Sequence, residues 1–173
     1  MLRFPPLEGL RPTPDRVRET LFNWLGQDLT GFSCLDLFAG SGALGFEAAS
    51  RGASRVVLVE LDTSAVQALR ANAARLCASS LEITNRNALA YLASANERFD
   101  VVFLDPPFRQ NVLPDVLERL TRVLKPRAQV YLEAPVPHDL QGAWRESKRS
   151  RAGQVSFQLL EWNNDRSGLP GDV

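Results

Sequence analysis

From Ser33 onward the chain alternates short apolar runs with segments of helical periodicity, and this pattern limits the fold more than any other feature. The runs Cys34–Phe38, Arg55–Val59, Leu81–Thr84, Val101–Leu104 and Ala128–Leu132 are too short for helices. They are apolar on both faces, as strands buried in a parallel sheet are. Between them lie Leu44–Ser50, Ser64–Leu76, Asn87–Leu92 and Val112–Leu124. Val66, Leu69, Ala73 and Leu76 in the second of these, and Leu113, Val116, Leu120 and Leu124 in the last, fall on one helical face. Strands alternating with helices predict a doubly wound α/β sheet. Ahead of it, Thr13 and Pro14 suit an N-cap and first helical residue. Val17, Leu21, Trp24 and Leu25 then form the apolar stripe of a first helix ending near Gly26.

The alternation breaks after the fifth run, where Trp144–Ser150 and Gln154–Trp162 flank Ala152-Gly153 with no helix between them. That spacing predicts a hairpin and gives five parallel strands an antiparallel pair at one edge. A chain of 173 residues is expected to form one domain, at roughly 150 residues per domain. Its parts are an N-terminal segment and helix (1–30), a cofactor-binding and catalytic core (31–135), the hairpin (136–163) and a tail (164–173) expected to fray.

With 45% hydrophobic and 23% charged residues, disordered and collagen-like classes are excluded. The sequence has no apolar stretch near the ~20 residues that span a bilayer, and its start lacks a signal-peptide core, so a cytoplasmic protein without a membrane partner is expected. Cys34 and Cys77 are too few for a disulfide scaffold and not spaced for zinc; both are expected in the core. No metal cluster is expected, and His138, between Pro137 and Asp139, reads as a loop residue. The formal net charge of zero argues against a wholly basic nucleic-acid domain. Yet all but Lys125 and Lys148 of the 20 cations are arginine, and Arg145, Lys148, Arg149 and Arg151 face only Glu146 within seven residues. Arginine suits bidentate phosphate contact. With Arg11, Arg16 and Arg18 near the first helix, these are candidate phosphate contacts, or else ordinary surface charge.

The first strand ends in Asp36-Leu37-Phe38-Ala39-Gly40-Ser41-Gly42-Ala43-Leu44-Gly45, a glycine-rich turn opening a helix. Glycines let backbone approach a ligand, and the helix start offers unpaired N–H groups. Gly40, Gly42 and Gly45 alone also fit a dinucleotide fingerprint, so a nicotinamide dehydrogenase stays open here, as does a ligand-free βα turn. Glu60 follows the second strand, twenty residues after Gly40, where an acid accepts ribose hydroxyls. Asp36 favours a cofactor carrying an ammonium group over one carrying a pyrophosphate. The fourth strand runs into Asp105-Pro106-Pro107-Phe108. The two prolines stiffen the loop and donate no N–H. The Asp105 carboxylate and the Pro106 carbonyl can therefore converge on an exocyclic amine, with Phe108 as a stacking face. Both hydrogens would then be held so that the nitrogen lone pair can attack a sulfonium methyl.

In this order the motifs resemble those of class I S-adenosylmethionine-dependent methyltransferases that modify exocyclic amines. Leu10 to Leu25 resembles the opening helix of the RsmD family, bacterial 16S rRNA guanine-N2 methyltransferases, and Ala152-Gly153-Gln154-Val155 is compatible with it. The resemblance covers about residues 9–162. It implies a Rossmann-like, mostly parallel seven-stranded sheet and S-adenosylmethionine held by Asp36, Phe38, Gly40, Gly42, Gly45 and Glu60. It also implies that Asn87 and Ala88 lie beside the adenine ring, with the Asn87 oxygen accepting from the adenine amine. Asp105, Pro106, Pro107 and Phe108 would form the amine site. The implied partner is a guanine of 16S rRNA within a small-subunit particle, met by a monomer. An adenine-N6 methylase of DNA or RNA could use the same loop, though a DNA methylase usually needs more residues to read base edges. A cofactor-binding module without activity is a third reading. Family chains begin with further arginine- and glycine-rich residues before a segment like Leu2-Arg3-Phe4-Pro5, so a chain shortened at Met1 is expected to bind cofactor well and RNA poorly.

Overall fold

A computed structural model describes residues 15–107, 111–138, 140 and 142–163. The expected cap at Thr13, Arg11, Phe108 and the tail after Asn163 lie outside the described residues. Seven strands form one sheet: β1 (Ser33–Asp36), β2 (Arg55–Glu60), β3 (Leu81–Asn85), β4 (Phe99–Leu104), β5 (Leu124–Ala134), β6 (Trp144–Ala152) and β7 (Val155–Trp162). Their order is β3-β2-β1-β4-β5-β7-β6. β1 to β5 pair in parallel, and β7 joins antiparallel to both β5 and β6. The helices are α1 (Asp15–Leu25), α2 (Ala43–Ser50), α3 (Thr63–Arg75), α4 (Ala88–Ser94) and α5 (Leu113–Leu120).

Alternating strand residues feed two cores. Cys34, Val56, Leu58, Val101, Phe103 and Tyr131 face α1, α2 and Leu69 of α3. Leu35, Val57, Val102, Leu104 and Leu132 face α4 and α5. α1 is held over the sheet by aromatic contacts, Phe22 on Phe103 (centroids 5.9 Å apart) and Trp24 on Phe157 (5.2 Å). Arg18 lies 3.5 Å from Glu47 of α2, and a turn further along each helix Arg51 covers the Phe22 ring at 4.9 Å. The two helices therefore run side by side in the same direction, and both begin at the carboxyl edge of the sheet.

The fifth strand differs from its expected bounds. The segment expected to be helical through Leu124 is α5 to Leu120, then a 3-10 turn at Thr121–Val123, and β5 starts at Leu124. Pro126 explains the early stop, because the residue before a proline is pushed out of the helical region. The extra strand length is absorbed by a register shift between Phe99 and Val101 and by Arg127 at φ 63°. Cys34 is buried as expected. Cys77 is exposed instead, because it lies past the end of α3 at φ 51°, where the chain turns away from the sheet. None of the described helices is long and apolar enough to cross a membrane.

Candidate active site

The carboxyl ends of β1, β2 and β4 and the starts of α2 and α3 build the site. After Asp36 the chain leaves β1, with Gly40 at φ 50° and Gly42 at φ 78°. The Gly40 N–H donates to Glu60 Oε2 (2.8 Å), and the Asp62 N–H donates to Oε1 (2.8 Å). One carboxylate thus ties the turn before α2 to the turn before α3. Asp62 caps α3, accepting from the Ala65 N–H at 2.8 Å. This leaves Glu60 at the strand end rather than in the cap. No side chain caps α2 at Gly42, so its first amides and its positive dipole end are directed along the carboxyl edge.

Three of the residues expected at the cofactor make contacts within the protein. Asp36 is 2% exposed and accepts from the Gly45 N–H at 3.2 Å. It lies beneath the turn as its anchor. Burial lifts its pKa to about 7; the Glu60 charge adds to this, while the Gly45 and Phe38 amides oppose it. Gly45 is a packing glycine: a Cβ there would meet Leu58 Cδ2 at 2.1 Å, so it lets α2 lie close on β2. Gly42 is likewise closed in by Leu69 and Phe46. The Asn87 oxygen caps α4, accepting from the Leu89 N–H (2.9 Å) and the Ala90 N–H (3.2 Å). Ala88 is buried as the first residue of that helix. Phe38 is partly buried against the α4–α5 core.

Asp105 leaves β4 two residues past Phe103, on the α1–α2 face. Its partly buried carboxyl is raised to about 8 by burial first, then by the charges of Glu133 and Asp36. Pro106 behind it is buried and Pro107 is exposed. β5 contributes Glu133, which is 7% exposed and accepts from the Tyr131 hydroxyl at 3.0 Å. With β4 and β5 in register at Leu104 and Leu132, Glu133 stands opposite Asp105. Sequence reasoning missed Glu133. Its signal was an acid ending an otherwise apolar strand, two residues after Tyr131 on the same face. It also missed Leu61, an apolar side chain 64% exposed next to Glu60.

The candidate phosphate contacts separate along the hairpin. Arg151 pairs with Ser156, which pairs with Ala134 at the carboxyl edge. Arg145 pairs with Glu161, which pairs with Gln129 toward the other edge. At ~3.3 Å per residue the two are ~20 Å apart. Arg145 is bonded to Glu161 (Nε to Oε2, 2.9 Å) and borders a cleft of about 370 Å³ with Arg127 and Trp162, remote from Asp105. Arg149 is held by Glu146 (2.9 Å) and Arg18 by Asp15 (3.0 Å), while Arg16 and Lys148 are exposed. Among the described residues no cluster of His, Cys, Asp or Glu could hold a metal ion. His138 donates its backbone N–H to Gln158 Oε1 at 2.8 Å, a loop position as expected.

A family model described as "Conserved hypothetical protein 95" matches residues 1–161. Ribosomal RNA small subunit methyltransferase D of Escherichia coli (strain K12) is 42% identical over 165 residues, covering 92% of this chain and 83% of that protein. This chain belongs to the ribosomal RNA small subunit methyltransferase D family. The Haemophilus influenzae protein of that name is 43% identical over 162 residues, covering 89% of this chain and 84% of its own. The structure of the putative methyltransferase yhhF from Escherichia coli superposes with a TM-score of 0.84 at 42% identity, over 91% of this chain and 90% of that one. An RNA methyltransferase from Salinibacter ruber, solved with S-adenosyl-L-homocysteine, shares the fold at TM-score 0.64 and 22% identity, over 94% of this chain and 98% of that one. As a member of the methyltransferase D family the chain is an enzyme of methyl transfer. Its donor set fits a sulfonium cofactor: a helix start without a side-chain cap from Gly42 for a carboxylate, acids but no cations in the turn, and Glu60 for hydroxyls.

Proposed function

We propose that this methyltransferase moves a methyl group from S-adenosylmethionine to the exocyclic N2 amine of one guanine in small-subunit rRNA, within an assembled or assembling particle. The observation that carries the reading is Asp105, held on the rigid Pro106-Pro107 step one strand away from the Gly40–Gly42 turn. S-adenosylmethionine supplies an electrophilic methyl on a positively charged sulfur. Glu60, the α2 amides and the exposed Leu61 hold that cofactor, and the Phe38 and Gly40 backbone borders it. The Asp105 carboxylate and the Pro106 carbonyl take the two N–H groups of the amine, with Phe108 as the stacking face of the guanine. Positioning of this kind supplies most of the rate, since the chemistry needs no nucleophile from the protein. Arg16, Arg149 and Arg151, toward the carboxyl edge, are the proposed phosphate contacts.

The test incubates the purified chain with labelled S-adenosylmethionine and either small-subunit rRNA or the assembled particle, followed by nucleoside analysis. N2-methylguanine is expected, and Asp105→Ala should abolish it while cofactor affinity holds. N6-methyladenine as the product would replace the substrate reading. Near-normal single turnover by Asp105→Ala would refute the role given to that residue.

A further inference from the structure

The connection from β5 to β6 is the part of the carboxyl edge that the reading above leaves without a task. β7 lies between these two strands, so the chain must step over β7 once it leaves β5 at Ala134. Gln158 of β7 meets it there. Leu160 belongs to the α4–α5 core, and Gln158, two residues before it, faces the same side. Gln158 is 1% exposed, and its amide clasps the crossing loop. Oε1 accepts from the His138 N–H at 2.8 Å, and Nε2 donates to the His138 carbonyl at 3.0 Å. Nε2 also donates to Glu146 of β6, whose carboxylate holds Arg149 at 2.9 Å. A buried amide left without such partners is costly, so the clasp fixes the loop. Pro135-Val136-Pro137 is thereby tied to β5 at one end and to Gln158 at the other, and each proline fixes its own φ. Val136, between them, is 64% exposed. Leu61 is as exposed, and the two stand on either side of the Gly40–Gly42 turn and Asp105 along the carboxyl edge, Leu61 after β2 and Val136 after β5. With the cofactor over the ends of β2 and β1 and the amine at Asp105 past β4, the nucleotide that carries the amine comes in from the β5 side.

Resting on the proposed function, we infer that Val136 is an apolar contact for the target nucleotide of the RNA as it enters beside Asp105, and that Gln158 is a positioning residue that holds Val136 there by clasping His138. Pro135 and Pro137 donate no N–H, and Val136 presents only methyl groups. This wall therefore meets the flat face of a base or the sugar and reads no base edge. Because the loop is already fixed, little of its freedom is lost when RNA binds. The Glu146 bond ties the same clasp to Arg149, a proposed phosphate contact, so the contact to the nucleotide and the contact to the backbone share one frame.

Binding of the full chain, loaded with S-adenosylhomocysteine, to unmethylated small-subunit rRNA and to the unmethylated particle tests this without relying on turnover. Val136→Ala should raise Kd for the RNA about three- to tenfold, as loss of two partly buried methyl groups does, and Val136→Ile should hold it. The single-turnover rate at saturating RNA, the S-adenosylhomocysteine affinity and Tm should all stay level in Val136→Ala, since the side chain is exposed and remote from the cofactor. Gln158→Met removes the clasp and should raise Kd for the RNA at least as far, again with cofactor affinity unchanged. Val136→Ala added to Gln158→Met should then change little more, because an unclasped loop no longer presents Val136. If Gln158→Met fails to fold, Gln158→Glu, which still accepts from the His138 N–H but cannot donate to the His138 carbonyl, serves in the same double variant. An unchanged Kd in Val136→Ala, or two changes whose effects add in full, overturns the inference. A native chain that binds neither RNA would overturn the proposed function, and this inference with it; RNA bound equally well by native chain and variants overturns this inference alone.

Discussion

Glu60→Ala should weaken cofactor binding and loosen the fold together, and the structure sets the size of each effect. The carboxylate accepts from two amides, Gly40 N–H and Asp62 N–H, both at 2.8 Å. Both amides are near solvent, so water replaces the lost acceptor and each bond contributes only ~0.5–1.5 kcal/mol net. At ~2–4 °C per kcal/mol for a chain of this size, Tm should fall by several degrees. Toward the cofactor, a charged hydrogen bond to a ribose hydroxyl contributes ~1.5–3 kcal/mol. That is a rise of about 10- to 150-fold in Kd. Calorimetry with S-adenosylhomocysteine gives the affinity and a thermal melt gives Tm. The control is Asp62→Ala, which removes the oxygen that accepts from Ala65 N–H but leaves the Asp62 amide on Glu60. It should lower Tm and leave Kd alone. An unchanged Kd in Glu60→Ala would remove Glu60 from the site. An equal loss of affinity in Asp62→Ala would mean that order in the turns matters and the carboxylate does not.

Gly45→Ala should destabilise the fold, because the new methyl meets Leu58 Cδ2 at 2.1 Å on a fully buried strand. Overpacking costs ~1–3 kcal/mol, only partly offset by alanine's ~1 kcal/mol helix preference, and a raised Tm would refute the packing role. Asp36, with its folded pKa raised to about 7, holds a proton in the native state that the unfolded chain has released. Its contribution therefore falls as pH rises from about 4 to about 7 and is level above. Asp36→Asn should flatten that part of the Tm-against-pH curve, and a curve of unchanged slope would place the titration elsewhere. Reversing Arg149 and Arg151 should weaken RNA binding and reduce its salt slope, since phosphate contacts release counterions. Reversing Arg145, at the far edge, should do neither, and equal effects would assign these charges to long-range attraction.

The alternation of apolar runs and helical stripes pointed to the five parallel strands, and its break to the terminal hairpin, because a parallel sheet buried on both faces leaves little freedom in where apolar residues fall. Strand ends were less legible. β1 was expected to run to Phe38 but stops at Asp36, since the positive φ values of Gly40 and Gly42 belong to a turn that begins before the glycines. In the site, spacing along the chain singled out Glu60, the last residue of β2, and Asp105, the residue after β4. It did not foresee that Asp36, Gly45 and Asn87 make bracing contacts within the protein, because a residue that braces a turn occupies the same motif as one that touches a ligand. Glu133 was invisible to motif reading for a related reason. Its meaning depends on β5 lying beside β4 rather than beside β3, a fact of strand order that no local pattern encodes.

Strand order also resolves the neutral net charge. Glu60, Asp36, Asp105 and Glu133 lie at or next to the carboxyl ends of β2, β1, β4 and β5, four neighbouring strands, and the period of two sends all four to one face. The carboxyl edge is therefore lined with acids at its centre, while Arg151 and Arg16 stand at its flanks. A row of carboxylates repels a phosphate backbone but welcomes a sulfonium and a base edge that presents N–H donors. In the proposed reaction the RNA backbone must then pass along the flanks while a single unpaired base reaches inward. The chain thus needs no excess of positive charge to act on RNA, only a separation of charge along one edge of the sheet. A net basic balance, the usual sign of a nucleic-acid protein, would have to be built on top of the very acids proposed to hold the cofactor and the amine.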